Sequence, residues 1–247
     1  MTVELMNTVT VNTVNTEIAQ ADVDVNNASV LRSIFEAISP ESCPQYANFH
    51  MHTMHSDGNL TPEVLIQQAI QIGLHDLAIT DHHSVAGYRH AKQYLEQEMS
   101  CRQANDGSAM PRLWVGAEVN AQLLDLDVHI LCYGFDPDAD VMQPYLQGEA
   151  VTGDRYTAAS VIAAIHNAGG LAVLAHPNRY RRSPTDLIPE ASRLGIDGVE
   201  SYYAYDNPSP WRPSPKQTAL VYQLGEEHGL FHTCGTDTHG LSLLTRL

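Results

Sequence analysis

From Asn48 onward, short apolar runs alternate with longer helical patterns, which predicts an α/β fold of repeated βα units around a mostly parallel sheet. Seven such runs with helices between them are too many for a small sandwich and suit a closed or nearly closed β/α barrel. A chain of 247 residues accommodates that barrel as one sizeable domain, and 43% hydrophobic against 17% charged residues supplies a core for it.

Residues 1–27 are rich in Asn, Thr and Val and read as a weakly ordered arm, with an edge strand as the other reading. In ASVLRSIFEAI, the residues Val30, Leu31, Ile34, Phe35 and Ile38 share one helical face behind the capping candidates Asn26 and Asn27. This predicts a helix and linker over 28–46, packed on the outside of a main domain that spans 47–247. The candidate strands are 47–52, 77–80, 113–119, 128–133, 171–175, 198–201 and 231–235. Between the first two, Thr61 is the expected N-cap, Pro62 the first helical residue, Glu63 a first-turn acid and Gly73 the stop. Helical patterns also fit 85–98, 154–167, 184–194 and 215–227.

Charge narrows the function. With 13 Lys+Arg against 29 Asp+Glu, the formal net charge is −16. A surface of that sign repels phosphate backbones, which argues against an extended nucleic acid held on a general basic face, while a local cationic site such as a metal cluster still attracts a phosphate. Cys43, Cys101, Cys132 and Cys234 form no CxxC, so neither a cysteine zinc site nor a disulfide scaffold is indicated, and a reducing compartment fits best. No apolar stretch is long enough for a membrane span, and the first basic residue is Arg32, so no signal peptide is expected and the protein reads as cytoplasmic. GxGxxG and P-loop patterns are also absent, so nicotinamide, flavin and nucleoside triphosphate cofactors are not implied.

The chemistry gathers at strand ends. NFHMHTMHSDG, AITDHH, VGAEVN, VLAHP, GVES and CGTDTHG each carry His, Asp or Glu at or just past the C-terminal end of an expected strand, the face on which β/α barrels build their sites. His129, early in DVHILCYGF, is the exception. The ligand candidates among the 13 histidines are His50, His52, His82, His129, His176 and His239. In an extended backbone, alternate side chains share a face, so the HxH pair His50 and His52 lie about 7 Å apart along the chain and can chelate one ion. Imidazole mixed with carboxylate suits zinc, manganese or iron, whereas magnesium or calcium would not need six histidines. Glu118 and Asp237 compensate charge, and Glu118 could bridge two ions. Any one of these histidines alone reads as a hydrogen-bonded core or loop residue; the ordered set does not.

Taken in order, HMHTMHSDG, ITDHH, GAE, DVHILCYG, AHP and GTDTHG resemble the metal motifs of the PHP (polymerase and histidinol phosphatase) superfamily, from about Asn48 to Gly240. The resemblance implies a distorted seven-stranded β/α barrel, (β/α)7, with two or three divalent ions at the strand ends. It implies a first ion held by His50, His52, Glu118 and Asp237, a second by Glu118, His129 and His176, and a third by Asp57, His82 and His239. Asp81 and His83, beside a ligand, are read as orienting groups, and Glu200 is not read as a ligand. The SDG and TDH segments most resemble the small stand-alone TrpH-like phosphoesterases, a group that includes nucleotide phosphatases and exoribonucleases. Only about 40 residues separate the His129 and His176 motifs, which leaves no room for the subdomain those relatives insert there.

The implied reaction is hydrolysis of a phosphomonoester on a small nucleotide-like substrate by metal-activated water. Phosphodiester cleavage at the 5′ end of a short oligonucleotide, a histidinol-phosphate-type phosphatase, a catalytically silent metal-binding module and a metal-dependent amidohydrolase are the alternatives. In NRYRR, Arg179, Arg181 and Arg182 are candidate phosphate contacts, with a solvated basic loop or a helix N-terminal flank as the other reading. In SYYAYDNPSPWRPSP, Tyr203, Trp211 and Arg212 could stack a flat group, or the segment packs the barrel lid or a second copy.

Overall fold

The structure, a computed structural model, describes residues 27–101 and 110–247. Apart from Asn27, the arm expected over 1–27 lies outside the described residues. The chain opens with α1 (Ala28–Glu36), capped by the Asn27 side chain, which accepts from the Ser29 and Val30 N–H groups. Then follow β1 (Ala47–Asn48), α2 (Pro62–Ile72), β2 (Asp76–Ala78), α3 (Ala86–Cys101), β3 (Arg112–Trp114), β4 (Gly116–Leu123) and β5 (Leu126–Tyr133). The remainder is α4 (Ala158–Asn167), β6 (Leu171–Leu174), α5 (Pro184–Arg193), β7 (Gly198–Tyr202), α6 (Pro215–Glu227) and β8 (Phe231–Cys234).

Local chemistry accounts for most boundaries. Thr61 caps α2 by accepting from the Val64 N–H, and Gly73 ends it in the left-handed region at φ 84°. The pattern over 154–167 divides into a 3₁₀ turn, Gly153–Tyr156, and α4, whose cap Thr157 accepts from the Ser160 N–H. Ser214, ahead of Pro215, makes no side-chain cap hydrogen bond. The four cysteines are free.

The sheet departs from the expected barrel. Among the described residues the strands form two sheets, a parallel β1-β2-β3 and a five-stranded β4-β5-β6-β7-β8, and no closed barrel is present. The single strand expected over 113–119 is two, β3 and β4, separated by Val115 and serving different sheets. Two isolated parallel bridges, Met51 with Thr238 and His82 with Glu118, bring the sheets together at the ends of their strands. Within the larger sheet, β4 and β5 are antiparallel, with Leu123 opposite Leu126. Two residues, Leu124 at φ 57° and Asp125, make that turn, too few for the crossover a parallel pair needs. β5 is also antiparallel to β6, and only β6, β7 and β8 run parallel.

Packing joins the two sheets. One apolar cluster lies between strands and helices, with Leu65, Ile66, Val119, Ile130, Ile165 and Ile188 fully buried or nearly so. The other is built on α1, which turns Leu31 and Phe35 inward and leaves Ser29, Ser33 and Glu36 exposed. Leu31 and Phe35 are buried among Ala47, Ala78 and Trp114 of the first sheet and Leu131, Val173 and Phe231 of the second. Phe35 stacks on Phe231 with ring centroids 4.9 Å apart and meets Phe49 edge-on at 4.8 Å. Among the described residues no helix is long and apolar enough to cross a membrane.

Candidate metal centre

Extended backbone after β1 presents His50 and His52, both completely buried, to the junction of the two sheets. Glu118 enters from β4, and its two oxygens are shared out. Oε2 lies 3.0 Å from His50 Nε2, 3.1 Å from His52 Nε2 and 3.6 Å from His82 Nε2. Oε1 lies 2.7 Å from His129 Nδ1 and 3.3 Å from His176 Nε2. Asp237, from the segment after β8, places Oδ1 3.2 Å from His52 Nε2 and 3.4 Å from His50 Nε2. Further toward solvent, Asp57 Oδ2 is 3.2 Å from His239 Nε2 and 3.8 Å from His82 Nε2.

Donor atoms within 4.8 Å of one another form three groups: His50, His52, Glu118 and Asp237; His52, Asp57, His82 and His239; and His82, Glu118 and His129. The first coincides with the set expected for one ion. The second contains the Asp57, His82 and His239 set and adds His52. The third joins Glu118 and His129 to His82, with His176 outside the grouping although its ring is 5.3 Å from that of His129. The early position of His129 in its strand is explained by direction: β5 runs antiparallel to β4, so its start lies beside the end of β4, with His129 opposite Asn120.

Neighbouring groups fix how these rings present. His50 Nδ1 is 2.9 Å from Glu200 Oε1, and since a carboxylate only accepts, Nδ1 carries the proton and Nε2 faces the cluster. The other Glu200 oxygen accepts from the His176 backbone N–H at 2.9 Å. Glu200 is thus an orienting group for two segments. His239 Nδ1 donates to the Asp237 carbonyl at 2.7 Å, which turns its Nε2 toward Asp57. Asp81 accepts from the Thr53 N–H at 2.6 Å and from the Ser56 hydroxyl at 2.9 Å, holding the loop between His52 and Asp57. His83 is occupied by the Tyr145 carbonyl and by Asn120. His176 and Asp237 have backbone φ of 28° and 53°, in the sparsely populated left-handed region where strain gathers at working sites.

The electrostatics suit a cation. Burial opposes ionisation of Glu118 and Asp237, yet the surrounding imidazoles outweigh it and hold both carboxyls well below their ordinary range. Burial likewise opposes a charge on His52, and the adjoining Asp237 and Glu118 carboxylates raise its pKa to about 9. His82, where burial dominates, is lowered to about 4. Two buried imidazole nitrogens, His52 Nε2 and His176 Nδ1, have no hydrogen-bond partner among the described residues. A donor set of ionised carboxylates and imidazoles, with a buried nitrogen aimed between two carboxylate oxygens and bonded to neither, fits divalent ions.

The residues considered for substrate divide. Arg179 Nη1 donates to the Tyr203 hydroxyl at 2.6 Å and to Asp237 Oδ2 at 3.1 Å, and Tyr203 donates to the same Oδ2 at 2.6 Å. Arg181 is exposed. Trp211 is only 6% exposed and packs in the α1 cluster, while Arg212 is exposed beside it. No hydrogen bond, ion pair or ring contact among the described residues joins Trp211 or Arg212 to the metal cluster. Two contributors escape sequence reasoning. Tyr180 accepts the His129 N–H at 2.8 Å, and Arg246 Nε donates to Asp237 Oδ2 at 2.8 Å. NRYRR gave a signal for the neighbourhood of Tyr180; nothing in LSLLTRL marks Arg246.

The chain is 25% identical over a gapped alignment of 251 positions to the 5′-3′ exoribonuclease Rnm of Escherichia coli strain K12, covering 78% of this chain and 84% of that protein. It is 24% identical to the phosphoribosyl 1,2-cyclic phosphate 1,2-diphosphodiesterase of Eggerthella lenta, over 78% of this chain and 94% of that one. A crystal structure from Bifidobacterium adolescentis, assigned as a metal-dependent phosphoesterase, superposes with a TM-score of 0.62 at 24% identity, covering 80% of this chain and 88% of that chain. Residues 48–203, more than half of the chain and the span that holds every candidate ligand except Asp237 and His239, match the PHP domain; the chain belongs to the PHP domain family.

Proposed function

We propose that this chain is a metal-dependent phosphoesterase that hydrolyses a phosphomonoester of a small nucleotide-like substrate. The observation that carries this reading is Glu118: one buried carboxylate offers Oε2 to His50 and His52 and Oε1 to His129 and His176, as a ligand shared by two ions would. His50, His52, Glu118 and Asp237 would hold one ion, Glu118, His129 and His176 a second, and Asp57, His82 and His239 a third, with manganese, zinc or iron suited to the donors. When bound, such ions act as Lewis acids toward phosphate oxygens and lower the pKa of the attacking water.

The chain's own residues supply direction. Exposure rises from the buried His50, His52 and Glu118 to His82 and His129 at 23% and 29% and Asp57 at 53%, so a phosphate approaches from the Asp57 side. Arg179, with 40% of its side chain exposed, can turn from Asp237 to a phosphate oxygen. The β5–β6 connection holds one helix and two 3₁₀ turns, without a separate subdomain, and this supports a small substrate. Cleavage from the 5′ end of a short oligonucleotide is the second reading, supported by the relative named as a 5′-3′ exoribonuclease. Phosphate release from AMP, 3′,5′-bisphosphoadenosine and a short 5′-phosphorylated RNA separates them. Turnover of the nucleotides alone supports the first reading, and turnover of the RNA alone overturns it in favour of the second.

A further inference from the structure

Asp237 has two oxygens with different surroundings. Oδ1 faces the imidazoles of His50 and His52. Oδ2 faces away from them and receives three donors: the Tyr203 hydroxyl at 2.6 Å, Arg246 Nε at 2.8 Å and Arg179 Nη1 at 3.1 Å. Arg246 Nε also lies 3.0 Å from the Tyr203 hydroxyl oxygen, so the three polar groups form a closed triangle. The two arginines are not equivalent. Arg179 has 40% of its side chain exposed and Arg246 only 15%.

The backbone of Arg246 is held as firmly as its side chain. Its carbonyl accepts the His239 N–H at 2.7 Å, and the preceding carbonyl, of Thr245, accepts from the Thr238 hydroxyl at 2.8 Å. The loop between is anchored by Leu243, fully buried, whose N–H donates to the Gln68 side chain at 3.0 Å. One residue therefore holds the side chain of Asp237 and the backbone of His239, which belong to different donor groups of the cluster.

We infer that Arg246 is a positioning residue: with Tyr203 it ties up Asp237 Oδ2, limits Asp237 to a single metal-facing oxygen, and frees Arg179 to leave for a substrate phosphate. Without it, departure of Arg179 leaves only one neutral donor, the Tyr203 hydroxyl, on that buried oxygen, and the carboxylate can rotate about its terminal bond. The inference rests on the metal-dependent reading above, and its direct readout is metal affinity rather than turnover.

The test is equilibrium manganese binding, in chelator-buffered manganese, to the full chain and to Arg246→Gln, Arg246→Lys and Tyr203→Phe, with thermal melts of the metal-free proteins as the folding control. Partners that orient metal ligands typically contribute about 10- to 100-fold in affinity, so Arg246→Gln is expected to weaken manganese binding at least about tenfold with the metal-free melt preserved. Arg246→Lys should recover part of the loss, and Tyr203→Phe should show a smaller loss. Arg179→Gln is the contrast, raising KM for a phosphoester and weakening manganese binding less than Arg246→Gln does. Arg246→Gln binding within twofold of the parent chain overturns the inference. If Arg246→Gln does not fold, unchanged binding in both Arg246→Lys and Tyr203→Phe overturns it equally. Manganese binding that depends on Arg246 in a chain hydrolysing no phosphoester would sustain the inference and sink the functional reading; a parent chain that binds no manganese sinks both.

Discussion

Glu118 is the residue whose loss separates a shared ligand from an ordinary buried acid. Glu118→Gln keeps the shape and removes the charge that five imidazoles face. It is expected to lower the number of manganese ions held per chain and to cut phosphoester turnover by at least about 100-fold, read by elemental analysis and by initial rates. Full metal content in that variant would show that Glu118 does not bridge. The donors themselves were legible because HxH, DH and DxH put side chains of one chemistry at the ends of successive apolar runs, and extended backbone brings such residues to one place. Arg246 was not legible, because its role depends on a loop returning to Asp237, which no local pattern encodes. Trp211 was legible only as a choice: an aromatic residue in a proline-rich segment reads equally as a stacking platform or as packing, and here it packs in the α1 cluster.

At the scale of elements, α1 and the β7–α6–β8 unit carry separable tests. α1 contributes Phe35, 1% exposed, to a cluster drawn from both sheets. Phe35→Ala should cost about 3–5 kcal/mol, the usual range for a large core aromatic, and appear as a lower denaturant midpoint. A cost below about 1 kcal/mol would show that the helix does not anchor that cluster. In the second unit, His232 of β8 pairs with the Ser201 hydroxyl of β7 at 2.6 Å and with Glu226 of α6 at 3.0 Å, and stacks on Tyr222. Burial lowers its pKa, against the opposing pull of Glu226. The unfolded chain therefore takes up this proton at a higher pH than the folded protein does, so stability is lost as pH falls below about 6.5. His232→Gln should make the decline of melting temperature between about pH 6.5 and 5 shallower than in the parent chain. An identical slope would show that His232 does not contribute to it. Helix positions were read well from caps and periodicity; strand direction was not, because a two-residue turn between two apolar runs looks like any other break until its partner strand is known.

For the molecule as a whole, the acidic net charge of −16 and an anionic substrate are reconciled only if the cluster is locally cationic. Three carboxylates, Asp57, Glu118 and Asp237, stand among six imidazoles where, among the described residues, two bridges join the sheets. The fold makes that junction by bringing the segments after β1, β2, β6 and β8 together with β4 and the start of β5, and it does so without closing a barrel. The measurement that tests this most directly is phosphate release from AMP and 3′,5′-bisphosphoadenosine by manganese-reconstituted protein, compared with the same protein stripped by chelator, with metal content counted in both. Two or three ions per chain, and turnover that disappears on stripping and returns with manganese, is the predicted result. Turnover that survives complete removal of metal, or a fully loaded protein that releases no phosphate from either nucleotide, would contradict it.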